Sequence, residues 1–343
     1  FEQIGSDALR WALVSSPVVR GGDMRIDREG KVISGAVRLV INPIWNAYYF
    51  FCLYANTDQL EAKFRGSATS VLDRYILAKT HELVVDIEHH LDSYDISSAC
   101  QSIVAFMEAL NNWYIRRSRP RFWREQESGE DREKQDAYDT LYTVLVTLSQ
   151  CVSPLLPFIS EEVYRGLTRE ISVHLSAWPD AKTIDTDPEL VADMDRVREI
   201  CSVALSLRAT RDIRVRQPLS EIIIAGSDIE SLETYAEIIA DEVNVKQVRF
   251  TDEIETYASF RLQVNARDAG PRLGSDTKKV IAAAKQGDWR KLPDDQIEAG
   301  GITLHPGEFT LLLEPKEGVA CEALPANDAI VVLDLEPTPA LIE

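Results

Sequence analysis

Apolar residues recur at spacings of three, four and their multiples from about Ser34 to Thr168, and that periodicity commits the front of the chain to helices. Leu72, Ile76, Leu83, Ile87 and Leu91 form one stripe, and Ile96, Cys100, Ile103, Met107 and Leu110 a second. Leu141, Val144, Leu145, Leu148 and Cys151 form a third, followed by Pro154, Pro157 and a last helix from Ser160. Polar breaks at Tyr94-Asp95 and Glu125–Lys134 separate the stripes. Helices with one apolar face and short connections bury those faces against one another, so an antiparallel helical bundle is expected over residues 34–188. Ahead of it, Ser6 and Asp7 are placed to cap a short helix through Trp11 to Ser15, which Pro17 and Gly21-Gly22 end. Residues 1–33 read as the end of a connecting segment.

The pattern changes after the loop Trp178–Pro188. Met194–Ala209 reads as a helix, Ser220–Ala225 as a buried strand, Ile229–Ala240 as a helix and Val245–Phe250 as a strand. This alternation implies a small αβ domain over 189–258. Residues 259–343 are strand-rich, with a strand at Thr310–Leu313, a helix at Asp276–Ala284 and a Pro-rich end. The fold class is thus multidomain and mainly α, with a smaller α+β C-terminal region. The first residue is Phe and the last stretch carries no stop signal, so the sequence reads as a piece of a longer protein.

Composition narrows the function. The hydrophobic fraction of 45% and charged fraction of 27% are ordinary for a globular protein. No apolar run reaches the ~20 residues of a membrane-spanning helix. Cys52, Cys100, Cys151, Cys201 and Cys321 are odd in number and widely spaced, which argues for a reducing compartment and against a cysteine zinc site. His81-Glu82 begins like a zinc-protease motif, but Val85 holds the second ligand position. Neither a phosphate-binding Gly-rich loop nor a nucleophile elbow is present, and Glu161-Glu162 and Asp294-Asp295 sit in solvated or capping contexts. The chain by itself carries no catalytic constellation.

Against a net charge of -19, of which -13 falls after Gln217, one stretch stands out. Residues Asn111 to Arg124 hold Arg116, Arg117, Arg119, Arg121 and Arg124 among Trp113, Tyr114 and Trp123, with no acid. Guanidinium groups fork onto phosphate oxygens, and aromatic planes stack on unpaired bases, so this block suits looped or single-stranded RNA. The competing reading is a helix end with Trp113 and Trp123 in the core and the arginines solvated or paired. A second basic island holds Arg208, Arg211, Arg214 and Arg216. There the dipole of a helix C-terminus accounts for Arg208 and Arg211, and RNA contact is the reading for Arg214 and Arg216.

Asn112-Trp113-Tyr114-Ile115-Arg116-Arg117-Ser118-Arg119-Pro120-Arg121-Phe122-Trp123 resembles the signature helix of the anticodon-binding domain in class Ia aminoacyl-tRNA synthetases, in its isoleucyl form. Gly5-Ser6-Asp7-Ala8-Leu9-Arg10-Trp11, Ser15-Ser16-Pro17, Gly21-Gly22-Asp23-Met24-Arg25, Asn42-Pro43-Ile44-Trp45-Asn46, Ser153-Pro154-Leu155-Leu156-Pro157-Phe158 and Ile213-Arg214-Val215-Arg216-Gln217-Pro218-Leu219 are similar to that family's segments, in family order. Gly300-Gly301-Ile302-Thr303-Leu304 with Pro306-Gly307-Glu308-Phe309 resembles the C-terminal region of its long, eukaryote-like members.

The resemblance implies the tRNA-binding part of a cytoplasmic, monomeric enzyme that joins isoleucine to its tRNA, with neither DNA nor membrane as a partner. The HIGH and KMSKS motifs and the editing domain are not in this stretch. The fragment is therefore expected to be inactive and to need no cofactor, while ATP and Mg²⁺, and Zn²⁺ where such enzymes carry it, belong to the rest of the enzyme. Arg116, Arg117, Arg119, Arg121, Arg124, Arg214 and Arg216 would meet phosphates, with Arg116 a candidate for an internal ion pair. Trp113, Tyr114 and Trp123 would be structural or stacking aromatics. The alternatives are the same region of a valyl or leucyl enzyme, or a non-catalytic interaction scaffold.

Overall fold

The three apolar stripes become one core. In the computed structural model, which describes residues 5–24, 30–124, 132–316 and 319–335, Ile76, Leu83, Ile87, Cys100, Ile103, Leu110, Leu141, Leu145, Leu148 and Cys151 are all buried together. The chain divides into two units, Phe1–Val191 and Ala192–Glu343. Arg25 and the end of the Pro-rich tail lie outside the described residues.

The first unit is helical: α1 (Ser6–Val14), α2 (Lys31–Ala36), α3 (Asn42–Asp58), α4 (Val71–Asp92), α5 (Ile96–Glu108), α6 (Arg116–Trp123), α7 (Arg132–Val152) and α8 (Pro157–Thr168). Two wider π-helical turns, Val37–Ile41 and Ala109–Ile115, join α2 to α3 and α5 to α6. The second of them buries Trp113, Tyr114 and Ile115 in succession, which a regular 3.6-residue repeat would not do.

Two expectations fail here for local reasons. Asp7 does not cap its own helix, whose N-cap is Gly5 with no side-chain bond. Its carboxylate instead accepts from the backbone N–H groups of Phe158 at 3.2 Å and Ile159 at 2.8 Å. Those are the second and third residues of α8, so Asp7 replaces the cap that Leu156 is unable to supply. Lys134 falls not in a polar break but in the first turn of α7, and it is 2% exposed.

Helix α9 (Pro188–Thr210) begins six residues earlier than the apolar pattern suggests, with Pro at its first position and Asp187 accepting from Leu190 N–H at 3.2 Å. In the second unit β1 (Leu219–Gly226) runs parallel to β2 (Val245–Thr251), across the helix α10 (Ala236–Val243). Next come α11 (Ile254–Tyr257), β3 (Ala258–Val264), α12 (Ala266–Leu273) and α13 (Thr277–Gln286). The strands β4 (Trp289–Leu292), β5 (Gln296–Ala299), β6 (Ile302–Leu304), β7 (Phe309–Pro315), β8 (Cys321–Ala323) and β9 (Ala329–Leu333) follow.

Strand β9 pairs antiparallel with β1, giving the sheet order β2-β1-β9-β8. The sheet therefore crosses the boundary expected at residue 258, because β1, buried on both faces, needs a neighbour on each edge and takes one from the far end of the chain. Gly300 and Gly301, both at positive φ, make the tight turn between β5 and β6. The Glu308 carboxylate accepts from both ends of the Arg272 guanidinium at 2.7 and 2.5 Å and from His305 N–H at 2.8 Å.

Candidate nucleic-acid interface

The arginine block divides into two faces of one helix. Ser118 and Phe122 are buried, and Phe122 stands edge-on to Tyr138 and Phe50, with ring centroids 4.9 and 5.0 Å away. That contact seats α6 on α7 and α3. Arg116, Arg119 and Trp123, three and four residues apart, form the opposite face and are exposed. Pro120, also exposed, lies between them.

Arg121 belongs to the inner face. Its two terminal nitrogens donate to the two oxygens of Asp73, each at 2.7 Å, and one of them also donates to the Glu133 carbonyl at 3.0 Å. Asp73 is fully buried and takes a third bond from the Tyr114 hydroxyl at 2.8 Å. Burial by itself would lower the Arg121 guanidinium, but the paired bonds and charge of Asp73 outweigh it and hold the guanidinium above its ordinary value. Burial, then the Asp73 charge, push the Tyr114 phenol well above its ordinary value, which keeps it a neutral donor. Arg121 thus makes a buried ion pair, because the π turn brings residues 114 and 121 onto the side that faces α4. Arg116 is exposed, and its Nε donates to the Asn112 carbonyl at 2.8 Å.

The remaining members differ in freedom. The Arg117 guanidinium lies over the Trp113 ring, 5.3 Å from its centroid, and Trp113 is 4% exposed. Arg124 pairs with Glu133 at 3.0 Å, both half exposed, and its carbonyl accepts from Lys134 Nζ at 2.7 Å. Lys134 in turn pairs with Asp58 at 2.7 Å, tying the end of α6 to the end of α3. Arg119 has no side-chain hydrogen bond or ion pair among the described residues. Trp123 is 55% exposed, which overturns its reading as a core residue: Phe122 fills that place. Sequence reasoning missed Asp73, Lys134 and Asp58; a lone Asp at the first turn of an apolar helix gives no sign of a partner 48 residues away.

The second island lies in the second unit. Arg208 is fully buried, donating to the carbonyls of Arg214 at 3.2 Å and of Gln217 and Asn244, both at 2.9 Å. Burial lowers its guanidinium. It closes the turn after α9 rather than serving the helix dipole alone. Arg211, Arg214 and Arg216 are exposed and make no side-chain ion pair among the described residues.

Among the described residues no group of three or more His, Cys, Asp or Glu is placed to hold a metal ion. His81 is a clamp, its Nδ1 2.9 Å from the Ala181 carbonyl and 3.0 Å from that of Ile184. Burial raises the Cys100 thiol to about 12 and raises that of Cys151 further, so neither is a nucleophile near neutrality. Among the described residues no helix is long and apolar enough to cross a membrane.

Residues 73–224 match the model of the anticodon-binding domain of tRNA ligase, a span that opens on Asp73 and takes in both basic islands. Isoleucine--tRNA ligase of Nocardia farcinica is 48% identical over 97% of this chain, and that of Mycobacterium tuberculosis is 46% identical over the same share. The chain spans about a third of these relatives, 31% of each. A ternary LeuRS–tRNA–LeuAMS complex from Agrobacterium radiobacter K84 aligns at a TM-score of 0.38 and 15% identity over 55% of this chain and 20% of that one, too slight a likeness to bear on the fold. Over the stretch it spans, the chain is thus similar to isoleucine--tRNA ligases, and its residues 73–224 match the anticodon-binding domain of tRNA ligase.

Proposed function

We propose that this chain is the tRNA-binding part of an enzyme that charges isoleucine tRNA with isoleucine at the expense of ATP and Mg²⁺. One observation carries the reading: Arg116, Arg119 and Trp123 share the exposed face of a helix whose other face is fixed by Asp73, Tyr114 and Phe122. A chain with a net charge of -19 holds its cations there without an adjacent acid in the sequence. Phosphates would meet the guanidinium groups, Arg124 after exchanging Glu133, and an unpaired base would stack on Trp123. Arg214 and Arg216 would contact RNA from the second unit.

The helices of the first unit serve as an antiparallel bundle in this reading. Binding energy gathered there would orient an acceptor end at a reacting centre in the rest of the protein, where ATP and the metal are handled. The enzyme would act in the cytoplasm as a monomer, with no use for DNA.

The test is binding of isoleucine and valine tRNA transcripts from about 50 to about 300 mM salt, with an Arg116→Glu/Arg119→Glu variant alongside. The expected result is a preference for the isoleucine tRNA, a loss of ten-fold or more in the variant, and a log–log salt slope shallower by about two. Equal affinity for both tRNAs and an unaffected variant would leave the scaffold reading in its place.

A further inference from the structure

We infer that Phe64, with Lys63 beside it, is a second contact for an unpaired nucleotide of the RNA that the arginine helix binds, an inference that rests on the proposed tRNA-binding role. The segment Glu61–Gly66 is neither helix nor strand, yet its backbone is held at Glu61, Lys63, Arg65 and Gly66. The Gln135 amide donates to the Glu61 carbonyl at 3.1 Å, and Lys63 N–H donates to Asp139 at 2.9 Å. Thr143 Oγ1 accepts from Arg65 N–H at 2.8 Å and donates to its carbonyl at 3.2 Å. The Gly66 carbonyl accepts from Asp185 N–H at 2.8 Å. The Arg65 guanidinium is neutralised by Asp136 at 2.6 Å and Asp139 at 3.5 Å.

What this framework presents to solvent is Phe64, 47% exposed, and Lys63, whose side chain has no partner among the described residues. A single exposed Phe is unremarkable on its own. Here the residues on either side of it are hydrogen-bonded in place, and it stands in sequence between the free cation of Lys63 and Arg65 rather than in an apolar run of the kind a protein partner would need. An aromatic side chain on a backbone fixed in advance loses less entropy when a base stacks on it than one on a loose loop.

Helix α7 places this segment beside the arginine helix. Glu133 and Lys134 grip Arg121 and Arg124, while Gln135, Asp136, Asp139 and Thr143 grip residues 61–65. From Glu133 to Thr143 the helix rises about 15 Å, which a few nucleotides of strand would cover. The sequence signal is the cation–aromatic–cation order Lys63-Phe64-Arg65, the same interleaving that marks the arginine block.

The experiment is a titration of the protein with isoleucine tRNA, comparing wild type, Phe64→Ala, Phe64→Tyr and Lys63→Gln over the same salt range, with thermal melting of each. Phe64→Ala should bind about ten-fold more weakly with an unchanged salt slope, and Phe64→Tyr should bind within about two-fold of wild type. Lys63→Gln should flatten the slope by about one. A wild type that binds, with Phe64→Ala unaltered, overturns the inference and leaves Phe64 to some other partner. Equal losses in Phe64→Ala and Phe64→Tyr, with lowered melting, would make it a packing residue and overturn it as well. Failure of the wild type to bind any tRNA would instead remove the RNA-binding role itself, and this contact with it.

Discussion

Two arginines two positions apart, Arg119 and Arg121, do opposite jobs, and stability separates them from affinity. Arg121→Gln leaves the carboxylate of Asp73 buried and without its main partner, which costs about 3–5 kcal/mol in the first unit by urea denaturation. Arg119→Gln should stay within about 0.5 kcal/mol of wild type in the same assay while weakening tRNA binding. In the second unit Glu308 supplies a pH test. The bonds from Arg272 and then His305 N–H hold its carboxyl down at about 2, against an ordinary 4.5, even though burial opposes them. A lowered folded value means that the contribution is complete above about 4.5 and drains away as the pH falls through about 2. Melting of Glu308→Gln should therefore lose the pH dependence seen in wild type across that window, and an identical profile would show that the pair contributes nothing. Neither partnership was legible in the sequence, because the Arg block gives the same local pattern whether its members face water or a carboxylate brought in from another helix.

At the scale of elements, most of what could be read was periodic. The stripes of α4, α5 and α7 are buried where their spacing puts them, since a 3.6-residue repeat maps directly onto a helix face. Features that depend on two elements meeting were not readable: the π turn that re-aims Tyr114, the strand β9 beside β1, and the cap that Asp7 gives α8. Segment packing shows the same dependence at Gly66, where a Cβ would overlap the Thr183 carbonyl oxygen. Gly66→Ala would force the two backbones apart, so it should destabilise the first unit by about 2 kcal/mol or more in denaturant melts. Asp7→Ala should cost about 1–2 kcal/mol, with Asp7→Asn retaining most of that, as a capping role requires.

For the molecule as a whole, each unit has its own buried core, so heating should give two transitions that respond to different substitutions. Arg121→Gln is expected to move one of them. Arg208→Met, which strips three carbonyls of their donor, is expected to move the other by about 2 kcal/mol or more. Calorimetry in which both variants shift the same transition would contradict this division. Its two units also explain why the sequence was clearer at the front: there, neighbouring helices pack on neighbours, whereas β1 waits for β9 from the far end of the second unit. Asp7 has a related consequence during synthesis. Phe158 lies 151 residues beyond it, so at about 5–20 residues per second the ribosome needs roughly 8–30 s to deliver the helix that Asp7 closes. Through that interval α1 has α2 and then α5 to pack against, and its seat on α8 is among the last contacts that the first unit can make.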